Sequence, residues 1–366
     1  MPEKITEKIL KVIIAGGGTG GHLYPGIALA DHFRETGAQV HFVGTHRGIE
    51  SKVIPSENYP LHFIPVRGLK GGRIWATLAG LFILPAAFFR SIGILRKIKP
   101  DIVVGVGGYA SGPLVFTAAL LRYKSFILEQ NTHPGITNRI LGKVVRKIYA
   151  SFPESKNYFP EKKFIYSGNP VRKKIIENIE SGQSEESSSK VHMLIFGGSQ
   201  GAHAINAAMA EVAPLLDDLS LEVKHQTGPK DQQSVENAWK KSGLNFESSE
   251  FIYDMHNAYK WADIIICRAG ATTLAELAIA GKSAILIPFP YATDNHQELN
   301  ARSCEKAGGA FCITEKELTT EILAEKIRML VNDSELRKKM AEDMKTLAKK
   351  DAPQMIREDM LKILAK

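Results

Sequence analysis

Cysteine is scarce. The 366 residues hold three, Cys267, Cys304 and Cys312, with no CxxC pair among them. An odd number without paired spacing excludes a disulfide framework and a zinc knuckle, and fits a reducing cytoplasm. A secretory leader is also missing, since MPEKITEKILKV is too charged to be one. Neither a DxD clamp nor an HExxH pair occurs, so no metal and no cofactor is expected. A membrane span is excluded as well. The apolar run at residues 74–89 has 16 residues, contains Pro85 and is flanked by Arg73 and Arg90. As a helix it covers about 24 Å, against a hydrocarbon core of about 30 Å. It reads as a buried or interfacial helix.

Acidic residues are in the minority. Lys plus Arg is 47 and Asp plus Glu is 39, a net charge of +8. That balance favours anionic partners: nucleic acid, phosphorylated metabolites or an acidic membrane surface. Hydrophobic residues at 44% and charged residues at 23% describe a folded chain. At about 150 residues per domain, the length predicts two domains.

Short apolar runs ending in glycine recur along the chain. Residues 12–15 run into GGGTGGH, residues 101–106 into GGYASGP, and residues 125–128 into EQN. After a polar loop at residues 179–190 the pattern restarts. Residues 191–196 run into GGSQGA and residues 264–267 into RAGATTLAEL, with a further strand at residues 283–288. Strands alternating with helices predict two α/β domains with parallel sheets. Ligands of such sheets bind beyond the carboxyl ends of the strands. Two sheets facing each other would gather these loops around one cleft. Helical patterns at residues 320–349, a break at residues 351–353 and a last amphipathic helix close the chain.

Each motif admits more than one reading. Gly16, Gly18 and Gly21 fit GxGxxG, which lets backbone amides approach a phosphate at a helix N-terminus. A nicotinamide cofactor would also need an acid at the end of the next strand. That strand ends in VGTHRG, without one. A bare tight turn is the other reading. Residues 197–201, GGSQG, fit the same phosphate logic and also the GxSxG nucleophile elbow of a serine hydrolase at Ser199. His22, at a strand mouth, is either a general base or a packing residue. Glu276 is either a surface carboxylate or the acceptor of two ribose hydroxyls. Residues 69–99 set Trp75, Leu78, Leu81 and Phe82 among Lys70, Arg73, Arg90, Arg96 and Lys97. They form either a core helix with solvated ends or a membrane-docking face.

In order, the motifs resemble one family closely. GGGTGGH with YPGIALA, GGYASGP, EQNTHPGITNR, SGNPVR, IFGGSQGA, FIYDM, RAGATTLAEL and IPFPYATDNHQELNA are similar to those of the MurG family. These are peptidoglycan N-acetylglucosaminyltransferases of the two-Rossmann GT-B fold. The match covers residues 16–301, and the tail fits the family's helix that returns to the first domain. The resemblance implies an acceptor and membrane domain at residues 1–170, rejoined by a helix at about 352–366, and a donor domain at residues 171–351.

It also implies metal-independent, inverting transfer of GlcNAc from UDP-GlcNAc to the C4 hydroxyl of lipid I, giving lipid II. Carried over by position, Ser199 and its loop face the diphosphate, and the Ile252 backbone meets uracil. Ala271, Thr272, Thr273 and Leu274 line a helix start, Glu276 binds ribose, and Gln297 contacts the sugar. Arg172 lies near the hinge and the donor. Thr19, Gly20, Gly21 and Asn131 approach the transferred sugar from the first domain. Gly18, Gly107, Gly108, Tyr109, Ser111 and Gly112 hold the acceptor pyrophosphate, and His22 is the base. Lys70, Arg73, Trp75, Leu78 and Phe82 form the membrane patch. The expected partners are the two substrates, an anionic membrane surface on its cytoplasmic face, and other cell-wall and division proteins, not nucleic acid. A UDP-GlcNAc 2-epimerase or another glycolipid glycosyltransferase of the same fold is the nearest alternative.

Overall fold

A computed structural model describes residues 9–66, 74–181, 190–198 and 200–366, with the backbone alone at residues 74–83. The chain forms two units. One comprises Met1–Arg172 with Lys350–Lys366, the other Lys173–Lys349. Val171 and Arg172 thus belong to the first unit.

In the first unit the chain runs β1 (Lys11–Ala15), α1 (Gly20–Arg34), β2 (Gln39–Gly44), α2 (Glu50–Ser56), β3 (Leu61–Phe63) and α3 (Ile74–Ile98). It continues through β4 (Ile102–Gly105), α4 (Ser111–Leu120), β5 (Lys124–Glu129), α5 (Ile136–Leu141), β6 (Lys147–Ala150) and β7 (Phe164–Tyr166). The seven strands lie in the order β3-β2-β1-β4-β5-β6-β7, all neighbours parallel.

Both faces of this sheet are covered, which is why its central strands are unbroken apolar runs. Val12, Ile14, Phe42, Val104 and Leu128 pack on one side with Leu23 and Ile27 of α1. Ile356 and Met360 of the C-terminal helix, Ala352–Leu364, join that same core. Ile13, Val43, Val103 and Ile127 face the other way, onto Leu95 of α3 and Leu114 of α4. The Tyr149 hydroxyl donates to Asp359 Oδ2 at 2.8 Å, tying the C-terminal helix to β6.

Helix α3 corrects one expectation. It has 25 residues and continues through Pro85 to Ile98. At 1.5 Å per residue its length is about 37 Å. Its second half is nevertheless part of the core, with Ala87, Ser91, Ile94, Leu95 and Ile98 buried. Among the described residues no helix is long and apolar enough to cross a membrane.

In the second unit the chain runs α6 (Lys173–Glu180), β8 (Val191–Phe196), α7 (His203–Val212), β9 (Leu221–Gln226), α8 (Gln232–Ser242), β10 (Asn245–Ser249) and α9 (Met255–Trp261). There follow β11 (Ile264–Cys267), α10 (Ala271–Ala280), β12 (Ser283–Leu286), α11 (His296–Lys306), β13 (Ala310–Cys312), α12 (Thr320–Asn332) and α13 (Ser334–Lys345). The parallel order is β10-β9-β8-β11-β12-β13. Helix α6 takes in Ile179 and Glu180, which the sequence reading gave to a loop. The tail pattern resolves into two helices because Asp333 caps the second, its carboxylate accepting the Leu336 N–H at 2.8 Å.

Relabelled from its own first strand, each sheet reads 3-2-1-4-5-6, the first unit adding a seventh strand. In this doubly wound order the chain reverses direction between strands 1 and 4, and the crevice at that point is where ligands bind. The motif pairs GGGTGGH with GGYASGP, and GGSQGA with RAG, sit at those two strand ends.

Candidate functional site

The two glycine loops of the first unit touch backbone to backbone. A Cβ on Gly108 would lie 2.3 Å from the Gly17 carbonyl oxygen, and one on Gly16 would lie 2.4 Å from that of Gly107. Gly107 and Gly108 also take φ of +92° and +77°. Only glycine meets both demands. Gly107 supports His22, whose ring would collide with a Cβ there at 2.6 Å. His22 lies in the first turn of α1, and its Nδ1 is 3.3 Å from Thr19 Oγ1. Gly18 and Thr19 are exposed beside it. Tyr109 is half exposed, while Ser111 is wholly buried.

From β5, Gln130 donates through Nε2 to the Val106 carbonyl at 3.2 Å and joins this cluster. Asn131 follows, its backbone N–H donating to Glu129 Oε1 at 2.9 Å. Glu129 is buried and also accepts Asn138 Nδ2 at 2.9 Å. Burial lifts its carboxyl to about 7 against those two donors. The Arg172 guanidinium lies 4.6 Å from the Tyr24 ring, stacked on α1 of this unit.

The second unit has a cavity of about 560 Å³ beyond the ends of β8 and β11. Gly197, Gly198, Gly201 and Ala202 form one wall, Gly270 and Thr273 another, and Arg268, Phe289 and Gln297 complete it with His203 and Glu315. Its size suits a sugar nucleotide. The N-termini of α7 and α10 both open here, and the positive ends of two helices favour an anion. Gly201 has φ +74°, and a Cβ there would strike the Thr227 carbonyl at 2.0 Å. Gln297 is oriented by its Oε1, which accepts the Phe289 N–H at 3.0 Å. Arg268 pairs with Glu315 at 2.6 Å and donates to the carbonyls of Ile287 and Pro288 at 3.2 Å each.

Glu276 lies in the second turn of α10. Its Oε2 accepts the hydroxyl of buried Tyr259 at 2.9 Å. Ala271 and Leu274 are buried, Thr272 and Thr273 partly exposed, and Ile252 partly exposed between exposed Phe251 and Tyr253.

The first-unit candidates Gly18, Thr19, Gly20, Gly21, His22, Gly107, Gly108 and Asn131 thus gather at one sheet end; of the second-unit candidates Thr273 and Gln297 line the cavity, Ala271, Thr272, Leu274 and Glu276 share α10 with Thr273, and Ile252 lies in the segment before α9. Ser199, Lys70 and Arg73 lie outside the described residues, as do the side chains of Trp75, Leu78 and Phe82. Sequence reasoning overlooked Glu50, Arg268, His203 and Glu315. Arg268 stands directly after a strand, a signal available in RAGATTLAEL.

Two family models match the chain. The glycosyltransferase family 28 N-terminal domain covers residues 12–150, and the glycosyltransferase family 28 C-terminal domain covers residues 192–356. The class is therefore a glycosyltransferase built from two Rossmann-like sheets. A Myxococcus xanthus protein is 49% identical over 94% of this chain and 90% of its own length. One from Geobacter sulfurreducens is 45% identical over 96% of this chain and 98% of its own. Both are named UDP-N-acetylglucosamine–N-acetylmuramyl-(pentapeptide) pyrophosphoryl-undecaprenol N-acetylglucosamine transferase. The crystal structure of Acinetobacter baumannii MurG superposes with a TM-score of 0.81 at 30% identity, covering 96% of this chain and 99% of that one. The chain belongs to glycosyltransferase family 28 and, within it, to the MurG family. A Neisseria meningitidis UDP-GlcNAc 2-epimerase, 14% identical with a TM-score of 0.68, shares the fold.

Proposed function

We propose that this chain transfers N-acetylglucosamine from UDP-N-acetylglucosamine to the C4 hydroxyl of the muramyl sugar in N-acetylmuramyl-(pentapeptide) pyrophosphoryl-undecaprenol. The observation that carries this reading is likeness along the whole chain, 45% identity over 96% of it, to a transferase named for those substrates. The donor occupies the cavity of the second unit. Its diphosphate meets the amides of the Gly197–Gly201 loop and the start of α7, its ribose meets Glu276, and its sugar meets Gln297. Arg172 and Asn131 act on the donor as well.

The chemistry is a single displacement. The acceptor oxygen attacks the anomeric carbon, the C1–O bond to the diphosphate breaks, and configuration inverts to give a β-linkage. His22 takes the hydroxyl proton, its ring held by Thr19 and by contact with Gly107. Negative charge grows on departing UDP, and aligned amides stabilise it without a metal. Tyr109 and the Gly107–Gly112 backbone hold the acceptor pyrophosphate.

The acceptor's undecaprenyl tail stays in a bilayer, so the enzyme docks on the cytoplasmic face of the membrane. Exposed apolar side chains on three successive helices support this: Leu84 and Phe89 on α3, Phe116 and Leu120 on α4, Ile136 and Ile140 on α5. Exposed Arg90, Arg139 and Lys143 stand among them. An apolar face edged with basic residues fits an anionic interface.

The test is incubation of labelled UDP-N-acetylglucosamine with a lipid I analogue. The β-linked disaccharide is the expected product. Free N-acetylglucosamine alone, or its 2-epimer, would overturn the reading.

A further inference from the structure

A hydrogen-bonded chain in the second unit runs from the core to the cavity. Trp239 Nε1 is 3.1 Å from His225 Nδ1. Indole only donates, so Nδ1 accepts. Burial holds His225 neutral, its pKa pushed down to about 3. Its one proton therefore sits on Nε2 and is donated to Asn206 Oδ1 at 3.0 Å. The Asn206 amide then points its Nδ2 at the Thr227 carbonyl, 2.7 Å, and at Asp231 Oδ2, 2.9 Å. Asp231 also meets His203 Nδ1, at 3.0 and 3.1 Å from its two oxygens. An ionised carboxylate only accepts, so His203 Nδ1 carries a hydrogen. The indole thus sets the His225 tautomer and the orientation of the Asn206 amide, and the Asp231 carboxylate sets the His203 tautomer.

We propose that His203 is a pH-gated ligand of the donor's diphosphate, with Asp231 as the residue that positions its ring. His203 is the first residue of α7, its side chain is 83% exposed, and it lines the cavity. With Nδ1 committed to Asp231, the opposite ring edge presents Nε2 to a ligand there. When the ring is neutral, Nε2 offers a lone pair, which no phosphate oxygen accepts. When the ring is protonated, Nε2 becomes a charged donor beside the amides at the start of α7. The charged groups around it are Asp231, with Lys230 next to it, and the Arg268–Glu315 pair lining the same cavity. Arg268 is already held by Glu315 and two carbonyls.

This inference rests on the donor reading above, and calorimetry with UDP-N-acetylglucosamine between pH 5.5 and 8.5 separates the two. Both phosphates of that probe are diesters, so its own charge is constant over the range. Wild type should bind about tenfold tighter at the low end, the size of one charge-assisted hydrogen bond. His203→Gln should bind with the weaker affinity at every pH, and His203→Arg with the tighter affinity at every pH. Asp231→Asn should lose most of the low-pH gain. Equal affinity and equal pH slope for wild type and His203→Gln would overturn the proposal. Asp231→Asn retaining the whole slope would overturn the positioning role. Failure of wild type to bind the probe at any pH would overturn the donor reading and this proposal together.

Discussion

The carboxylate of Glu50 accepts the backbone N–H of Gly18 at 2.7 Å, although 32 residues separate the two. Its other oxygen accepts the N–H and hydroxyl of Thr45 at 2.9 and 2.8 Å. Glu50 is 1% exposed; a Cβ on Gly17 or Gly48 would run into its carboxylate, and one on Gly44 into its Cγ. An acid at the start of α2 is thus turned inward as a strut for the glycine loop. Glu50→Ala would leave three donors unmet. Stability to urea should fall by about 1–3 kcal/mol. Transfer should slow while UDP affinity holds if, as proposed, UDP binds the other unit. Unchanged stability would remove the strut role.

His22→Ala should lower kcat by about 10²–10⁴, the usual contribution of a positioned base. UDP affinity by calorimetry should match wild type. Retention of kcat would make His22 a packing residue against Gly107.

For Glu276→Ala, kcat/KM for the donor should drop roughly 10- to 100-fold, as for loss of a hydrogen bond to a charged group. Tyr259→Phe should show a smaller loss, since it removes the hydroxyl that holds the Glu276 carboxylate in place without removing the carboxylate. An unchanged donor KM in folded Glu276→Ala would sink the ribose assignment.

Glu129 gives a pH dependence of defined sign. Its carboxyl titrates near 7 in the folded chain, above the ordinary 4.5. Folding therefore favours the protonated form. That contribution is complete below about 4.5 and is lost as pH rises through 7, amounting to about 3 kcal/mol. Glu129→Gln does not titrate. Relative to wild type it should gain stability between pH 5 and pH 8, measured by urea unfolding. Parallel curves for the two proteins would refute this.

Binding to vesicles rich in anionic lipid should weaken as salt rises, each basic residue near the surface contributing about 1 kcal/mol. Leu120→Ser with Ile140→Ser should reduce binding to such vesicles while leaving turnover of a short-chain, water-soluble acceptor intact. Equal binding by wild type and the double variant would move the docking face elsewhere.

The central strands were legible because burial on both faces leaves apolar runs, and because GGGTGG, GGYASG and GGSQGA punctuate their ends. The outer strands were not. Leu61–Phe63, Phe164–Tyr166 and Ala310–Cys312 have three residues each, too few for any period; Lys147–Ala150, Leu221–Gln226 and Asn245–Ser249 were missed as well, since polar residues interrupt them and no glycine motif marks the ends of the latter two. Pro85 read as an interruption of an apolar helix, yet the helix continues because its far half is packed in the core. Motif residues following a strand, such as His22 and Glu276, could be named from order along the chain. The partners that orient them could not. Gly18 meets Glu50 from beyond the ends of adjacent strands, and His203 meets Asp231 across 28 residues, one at the start of α7 and the other just before α8. Such proximity arises from sheet order, which a linear reading does not contain.

The return of the C-terminal helix to the first unit has a consequence for birth of the protein on the ribosome. Ile356 and Met360 fill a core whose other side chains are made some two hundred residues or more earlier. Residues 1–172 emerge first but must wait, with that apolar slot open, until the last helix is released. Residues 173–349 are continuous and complete their own sheet meanwhile. The order of synthesis and the order of completion are therefore opposite. At roughly 5–20 residues per second, the unfinished first unit is exposed for about ten seconds or more. A chain stalled short of residue 352 would carry a finished second unit and an aggregation-prone first one.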